Sequence, residues 1–128
     1  IKPNHYDVVS IMNTLYLPGM KPVDILRNIY DGLKPGGKII VSGPSSINSL
    51  RIAQEKVFNQ LREDGFTEQE NEIFNILRYA TENLMTNHAN YYSAEGMAEL
   101  LLHIGFTNIH EVNNTIYYNN GYLVCAEK

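Results

Sequence analysis

Two nearly unbroken apolar runs, Tyr6–Met12 and Lys38–Ser42, lie one helix-length apart near the start of the chain. That pairing restricts the fold more than any other feature. Val8, Val9, Ile11 and Met12 leave little alternation in the first run, as expected of a strand covered on both faces of a sheet. Leu17-Pro18-Gly19 makes a loop, and Pro22 suits the first turn of a helix. Val23, Leu26, Ile29, Tyr30 and Leu33 then recur at helical spacing as one apolar stripe. Pro35-Gly36-Gly37 stops this helix and turns the chain back into the second strand. Strand, helix and strand in this order form one right-handed crossover of a parallel sheet.

Gly43-Pro44-Ser45-Ser46 opens a longer excursion. Leu50, Ala53, Val57 and Leu61 stripe one face of a helix that starts near Asn48 and ends at Asp64-Gly65. Thr67 and Glu70 have the spacing of a capping box. Behind them Ile73, Ile76, Leu77, Ala80 and Leu84 stripe a second helix. These stripes read as core or dimer surface rather than as a ligand site. Met85 to Tyr92 has no period and reads as loop. Ser93 caps a third helix carrying Met97, Leu100, Leu101 and Ile104, which Gly105 stops. Phe106 to Val112 leads into a strand, the segment Tyr117–Tyr122 supplies a hairpin turn because Asn120-Gly121 favours positive backbone angles, and Tyr122 to Ala126 closes the chain as a strand. Tyr117, Tyr118 and Tyr122 read as strand residues.

Composition enters by exclusion. At 128 residues and 44% hydrophobic content the chain has material for one core. A net charge of -4 without clustered Lys and Arg argues against a nucleic-acid surface. No apolar run reaches the length of a membrane span. One cysteine, Cys125, excludes an internal disulfide framework and fits a reducing cytoplasm. It reads as a small apolar residue of the last strand. His5, His103 and His110 lack metal-ligand spacing, so no metal site is expected.

The ordered set of motifs resembles the C-terminal half of the class I S-adenosylmethionine-dependent methyltransferases. It comprises the Tyr6-Asp7-Val8-Val9 strand with Asn13-Thr14-Leu15-Tyr16 after it and the Leu33-Lys34-Pro35-Gly36-Gly37 turn. It continues with the Tyr92-Ser93 helix start, the Gly105-Phe106 stop and the hairpin returning to Cys125-Ala126. The resemblance covers about Tyr6 to Gly43 and Tyr91 to Lys128. It implies an α/β fold: half of a Rossmann-like methyltransferase sheet, two parallel strands plus a C-terminal antiparallel hairpin. Helices would lie mainly on one face, with a two-helix, lid-like insertion at about 45–90. No Gly-x-Gly segment lies between a strand and a helix, and no acidic residue ends a suitable strand. The resemblance therefore implies a chain that opens mid-domain, with the lesser half of the S-adenosylmethionine site and no expected activity in isolation.

By the same resemblance, Met12, Asn13, Thr14, Leu15 and Tyr16 would form the cofactor rim, offering open carbonyls to the cofactor ammonium. Asn13-Thr14 as a simple strand end and Leu15 as core is the plainer reading. Gly43, Pro44, Ser45, Tyr91 and Tyr92 would wall a small-molecule substrate, and a plain turn at Gly43-Pro44-Ser45 fits equally. His88 is a weak candidate for the catalytic base, against an ordinary solvated loop histidine. Topology leaves one apolar sheet face and one strand edge uncovered. The chain is thus expected to dimerise, swap segments, pack its extra helices over that face, or meet a missing N-terminal half. A non-catalytic module that completes its sheet with a partner is the competing reading.

Overall fold

The computed structural model describes residues 2–67, 72–113 and 116–128. The elements run β1 (Tyr6–Met12), α1 (Pro22–Gly32), β2 (Leu33–Pro44), α2 (Ile47–Glu63) and α3 (Glu72–Tyr79). A π turn (Ala80–Leu84), α4 (Ala94–Ile104), β3 (Thr107–Glu111) and β4 (Gly121–Glu127) follow. The strands form one sheet in the order β1-β2-β4-β3. β1 and β2 are parallel, with Val9 opposite Ile39 and Ile11 opposite Val41. β4 is antiparallel to both of its neighbours. This is the α/β arrangement expected from the motif order, with the last strand of the chain inserted between β2 and β3.

Strand register sorts the side chains onto two unequal faces. Val9, Ile11, Ile39, Val41, Val124 and Ala126 point to one side, where Leu26, Ile29, Met97, Leu101 and Phe106 meet them. α1 and α4 therefore cover the same face, as two right-handed crossovers require. Pro22 occupies the first turn of α1, and the Ser93 hydroxyl accepts from the Gly96 N–H at 2.9 Å to cap α4. Gly105 ends α4 at φ +126°, where a Cβ would stand 3.3 Å from the Tyr30 ring. Tyr30 meets Phe106 edge-to-face with centroids 4.9 Å apart.

The opposite face stays open. Val8 and Met12 are 57% and 48% exposed, so the helices of the excursion do not close over them. α2 instead sits at the carboxyl end of β2. Cys125, on that same face opposite Ile40, is half-buried rather than sealed in the core.

Several local expectations shift. α1 ends at Gly32, and Leu33 is already extended, so the helix stops before Pro35-Gly36-Gly37. Those residues instead make the irregular start of β2, where Gly36 and Gly37 exchange backbone hydrogen bonds with Lys128. The closing turn falls on Tyr117, Tyr118 and Asn119, all left-handed at φ 50–67°, and Gly121 is already strand. Tyr117 and Tyr118 are therefore turn residues. The side chain of Asn120 supports this backbone by donating to the carbonyls of Tyr117 and Tyr118 at 3.2 and 2.9 Å. Of the Thr67–Glu70 box, Glu70 lies outside the described residues.

The helices of the excursion are rotated from the expected stripes. Phe58 and Phe74 are the buried apolar residues described there, with ring centroids 4.7 Å apart and the Arg78 guanidinium 4.8 Å over Phe58. Ile73, Ile76 and Leu84 stay exposed, and Val57 is half-exposed. An aromatic ring removes more apolar area from water than an aliphatic side chain, and it decides which side turns inward.

Candidate active site at the carboxyl end of the sheet

In an open parallel sheet, ligands lie beyond the carboxyl ends of the strands, where helix termini and loops leave a crevice. Here β1 and β2 end side by side, Met12 opposite Ser42. The loop after Met12 is closely tied. Asn13 takes a left-handed φ of 53° and donates its N–H to the Ser42 carbonyl at 3.0 Å. Thr14 Oγ1 donates to the Met12 carbonyl at 2.9 Å, and the Leu17 N–H donates to the Thr14 carbonyl at 3.1 Å. The Asn90 N–H reaches the Tyr16 carbonyl at 2.8 Å, while its side-chain amide donates to the Met20 carbonyl at 3.2 Å.

This corrects the picture of open carbonyls. Those of Met12, Thr14 and Tyr16 already accept one hydrogen bond each, so an ammonium group would meet only their second lone pairs. Leu15 is fully buried in the core, and Met12 directs its side chain to the open sheet face. Of the five residues expected at the rim, Tyr16 lines a cavity. The residues present would thus offer the methionine end of an S-adenosylmethionine molecule only those second lone pairs and Tyr16. They supply neither a glycine-rich loop nor a ribose-binding carboxylate for its nucleoside end.

Gly43 and Pro44 are buried, and Ser45 is half-buried. A Cβ at Gly43 would stand 2.9 Å from the Tyr122 hydroxyl, so glycine is needed for that ring to cross β2. The Ser45 N–H donates to the Asn120 carbonyl at 3.1 Å, and the Ser49 hydroxyl donates to the same oxygen. The closing turn is thereby fixed to the entrance of α2. Tyr91 gives its hydroxyl to the Met85 carbonyl at 2.6 Å. Tyr92 packs against the core, and His88 is exposed in the turn after the π turn.

Tyrosines nonetheless gather at this end. Burial pushes the phenols of Tyr117 and Tyr122 far above their ordinary range. Tyr16, itself hydrogen-bonded to Tyr117, and Tyr92 beside Tyr122 raise them further. Burial likewise raises Tyr91. These phenols hold their protons at neutral pH, which suits donors and walls rather than bases. The hydroxyls of Ser42 and Tyr122 are buried here without a partner among the described residues.

A cavity of about 340 Å³ opens beside Tyr16, between α2 and the π turn. Leu50, Ala53 and Val57 face Leu77, Ala80 and Met85 across it, with Gln54 and Thr81 as its other polar residues. Both expected apolar stripes contribute to it, so part of what reads as core or dimer surface lines a cavity. The sequence did carry a signal, since Gln54 interrupts the apolar stripe of α2 one helical turn from Leu50. Asn90, which clamps the loop after β1, carried none. Among the described residues, no three His, Cys, Asp or Glu side chains converge as a metal site would require, and no helix is long and apolar enough to cross a membrane.

No protein-family model and no curated protein matches the sequence. Solved structures do match. The S-adenosylmethionine-dependent methyltransferase SibL in its apo form aligns with TM-score 0.59 over 99% of this chain and 32% of its own, at 17% identity. PigF with SAH gives TM-score 0.56 over 99% of this chain and 32% of its own, at 22% identity. An S-adenosylmethionine-dependent methyltransferase from Mesorhizobium loti gives 0.61 over all of this chain and 64% of its own, at 11% identity. The chain thus has a class I methyltransferase-like fold and spans 32% of the length of SibL and of PigF.

Proposed function

We propose that these residues belong to an S-adenosylmethionine-dependent methyltransferase that acts on a small-molecule acceptor. The carrying observation is the fold: the whole chain aligns with several such enzymes, one of them with SAH bound. When bound, the cofactor supplies a methyl carbon on a positively charged sulfur. The atom that would take this methyl group is an acceptor oxygen, nitrogen or carbon. The chain's own contribution is positional. The loop Asn13–Tyr16, fixed by Ser42 and Asn90, holds one side of the crevice. Gly43–Ser45 with Tyr91 and Tyr92 stiffens the other. Alignment of this kind supplies much of the rate where the electrophile is strong, and His88, exposed and outside the cavity, adds nothing essential. A lone cysteine fits a cytoplasmic setting.

Titration with S-adenosylhomocysteine, followed by calorimetry and amide chemical shifts, tests this. Weak binding with shifts confined to Met12–Tyr16 is the expected result. Tight binding by these 128 residues refutes the placement of most of the cofactor site elsewhere, and no shift at the rim refutes the methyltransferase reading.

The open edge of β1 and the exposed Val8 and Met12 favour a second reading, in which the sheet is completed by another polypeptide or a second copy. A monomer in ultracentrifugation counts against a second copy.

A further inference from the structure

The cavity between α2 and the π turn is constructed rather than a gap left by loose packing. The π turn places the Ala80 carbonyl against the Met85 N–H at 3.0 Å, a five-residue step that widens the helix. Thr86 Oγ1 then donates to the Thr81 carbonyl at 3.1 Å. This widening brings Ala80, Thr81 and Met85 onto one wall together. Small residues, Ala53 and Ala80, stand on opposite walls where larger ones would fill the space.

Its chemistry is selective. Six of the nine lining residues are apolar and none is charged. The nearest ion pair, Arg51 with Glu82 at 2.7 Å, spans the same seam but satisfies itself and stays solvent-exposed. Thr81 Oγ1 donates to Gln54 Oε1 at 2.6 Å, fixing one polar pair in the wall. Tyr16 is the second polar contact, and it links the cavity to the end of β1. A charged ligand would surrender its hydration here without a counter-charge. The volume stands at the low end of the roughly 300–1,000 Å³ typical of small-molecule sites.

We propose that this cavity takes the methyl acceptor, and that the acceptor is an uncharged, mostly apolar molecule of one or two rings. Its hydroxyl or amine lies toward Tyr16. The assignment to an acceptor rests on the methyltransferase reading, whereas the ligand chemistry rests on the cavity alone.

Amide chemical shifts with three probes of matched size test it: 2-naphthol, 2-naphthoate and a naphthylmethylammonium ion. Binding of 2-naphthol with shifts at Ala53, Thr81 and Met85, and at least about tenfold weaker binding of both ions, is the expected pattern. Ala53→Phe, which fills the cavity from within, and Val57→Phe, which narrows it from the exposed side, should each weaken 2-naphthol about tenfold or more. Far-ultraviolet melts report whether each variant folds. Equal binding of the ions overturns the proposal, as do shifts centred on Val8 and Met12 or affinity unchanged in the folded Val57→Phe variant. So does a dimer, dissociated by Val57→Phe, in which a second copy fills the groove. S-adenosylhomocysteine is titrated in parallel. Rim shifts without naphthol binding sink the ligand class alone, and naphthol binding without rim shifts sinks its role as acceptor.

Discussion

The sheet with α1 and α4 and the excursion from α2 to the π turn are built from similar proportions of apolar residue, yet they use them differently. In the sheet body, Leu26, Leu101, Phe106 and Val124 are fully buried in one cluster. In the excursion, burial concentrates on the Phe58–Phe74 pair, while Ile52, Val57, Ile73, Ile76, Leu77 and Leu84 remain open to solvent by a third or more. The first region is held by a shared core. The second is held by the Phe58–Phe74 contact with Arg78 over it, by polar bridges such as Arg51–Glu82 and Gln54–Thr81, and by the bond from Ser49 to Asn120. A region held this way opens at lower free energy than the body that carries it, which suits a wall that must admit a ligand.

The largest expected effect breaks the body. Phe106→Ala should cost about 3–5 kcal/mol, the range for a fully buried ring, and denaturant titration should show both regions unfolding together. Phe58→Ala removes a ring of the same size from the excursion. Its cost, about 3 kcal/mol, should appear in hydrogen exchange as lost protection in α2 and α3 while β2 and β4 keep theirs. Uniform loss across the chain would erase the distinction between the regions.

Smaller effects sharpen the comparison. The buried Tyr122 hydroxyl has no partner among the described residues, so Tyr122→Phe should leave the body about 1 kcal/mol more stable at pH 7, read from thermal melts. Its phenol is raised by burial and by Tyr92. The unfolded chain therefore ionises near the ordinary value of 10, whereas the folded one stays protonated. Stability is full below that pH and falls as pH rises above it, and Tyr122→Phe should flatten the fall. The smallest effect belongs to the excursion. The bidentate hydrogen bond from Arg51, then its charge, hold the Glu82 carboxyl below its usual range. The contribution is present above the ordinary carboxylate pKa and is lost on acidification through the lowered one. Glu82→Gln should speed exchange at the seam slightly at pH 7 and make no difference in strong acid.

The same contrast explains what could be read from the residues alone. Where one element meets a full core, pattern and burial agree: Val23, Leu26, Ile29 and Tyr30 mark the helix α1, Ser93 and Gly105 cap and stop α4, and two apolar runs mark parallel strands. In the excursion the pattern offered more apolar positions than there was core to receive them. Tertiary packing then chose Phe58 and Phe74 over the neighbouring aliphatic stripes. The π turn was hidden because a five-residue hydrogen bond leaves no mark in apolar spacing. The hairpin turn lies in the expected segment but centres on Tyr117–Asn119, because Asn120-Gly121 has the stronger local preference yet the side chain of Asn120 supports the turn before it instead. The loop Met12–Tyr16 is legible after the first strand, but the internal bonding of its carbonyls depends on Ser42 and Asn90, distant in sequence.

One oxygen ties the excursion to the closing turn of the chain. The Asn120 carbonyl receives both Ser45 and Ser49, the latter from 71 residues earlier in the chain. During synthesis, α2 leaves the ribosome long before its mooring exists. A nascent chain halted before the final turn would keep that helix on its partners in the excursion but lack its tie to the sheet, so the compartment would lose one of its anchors.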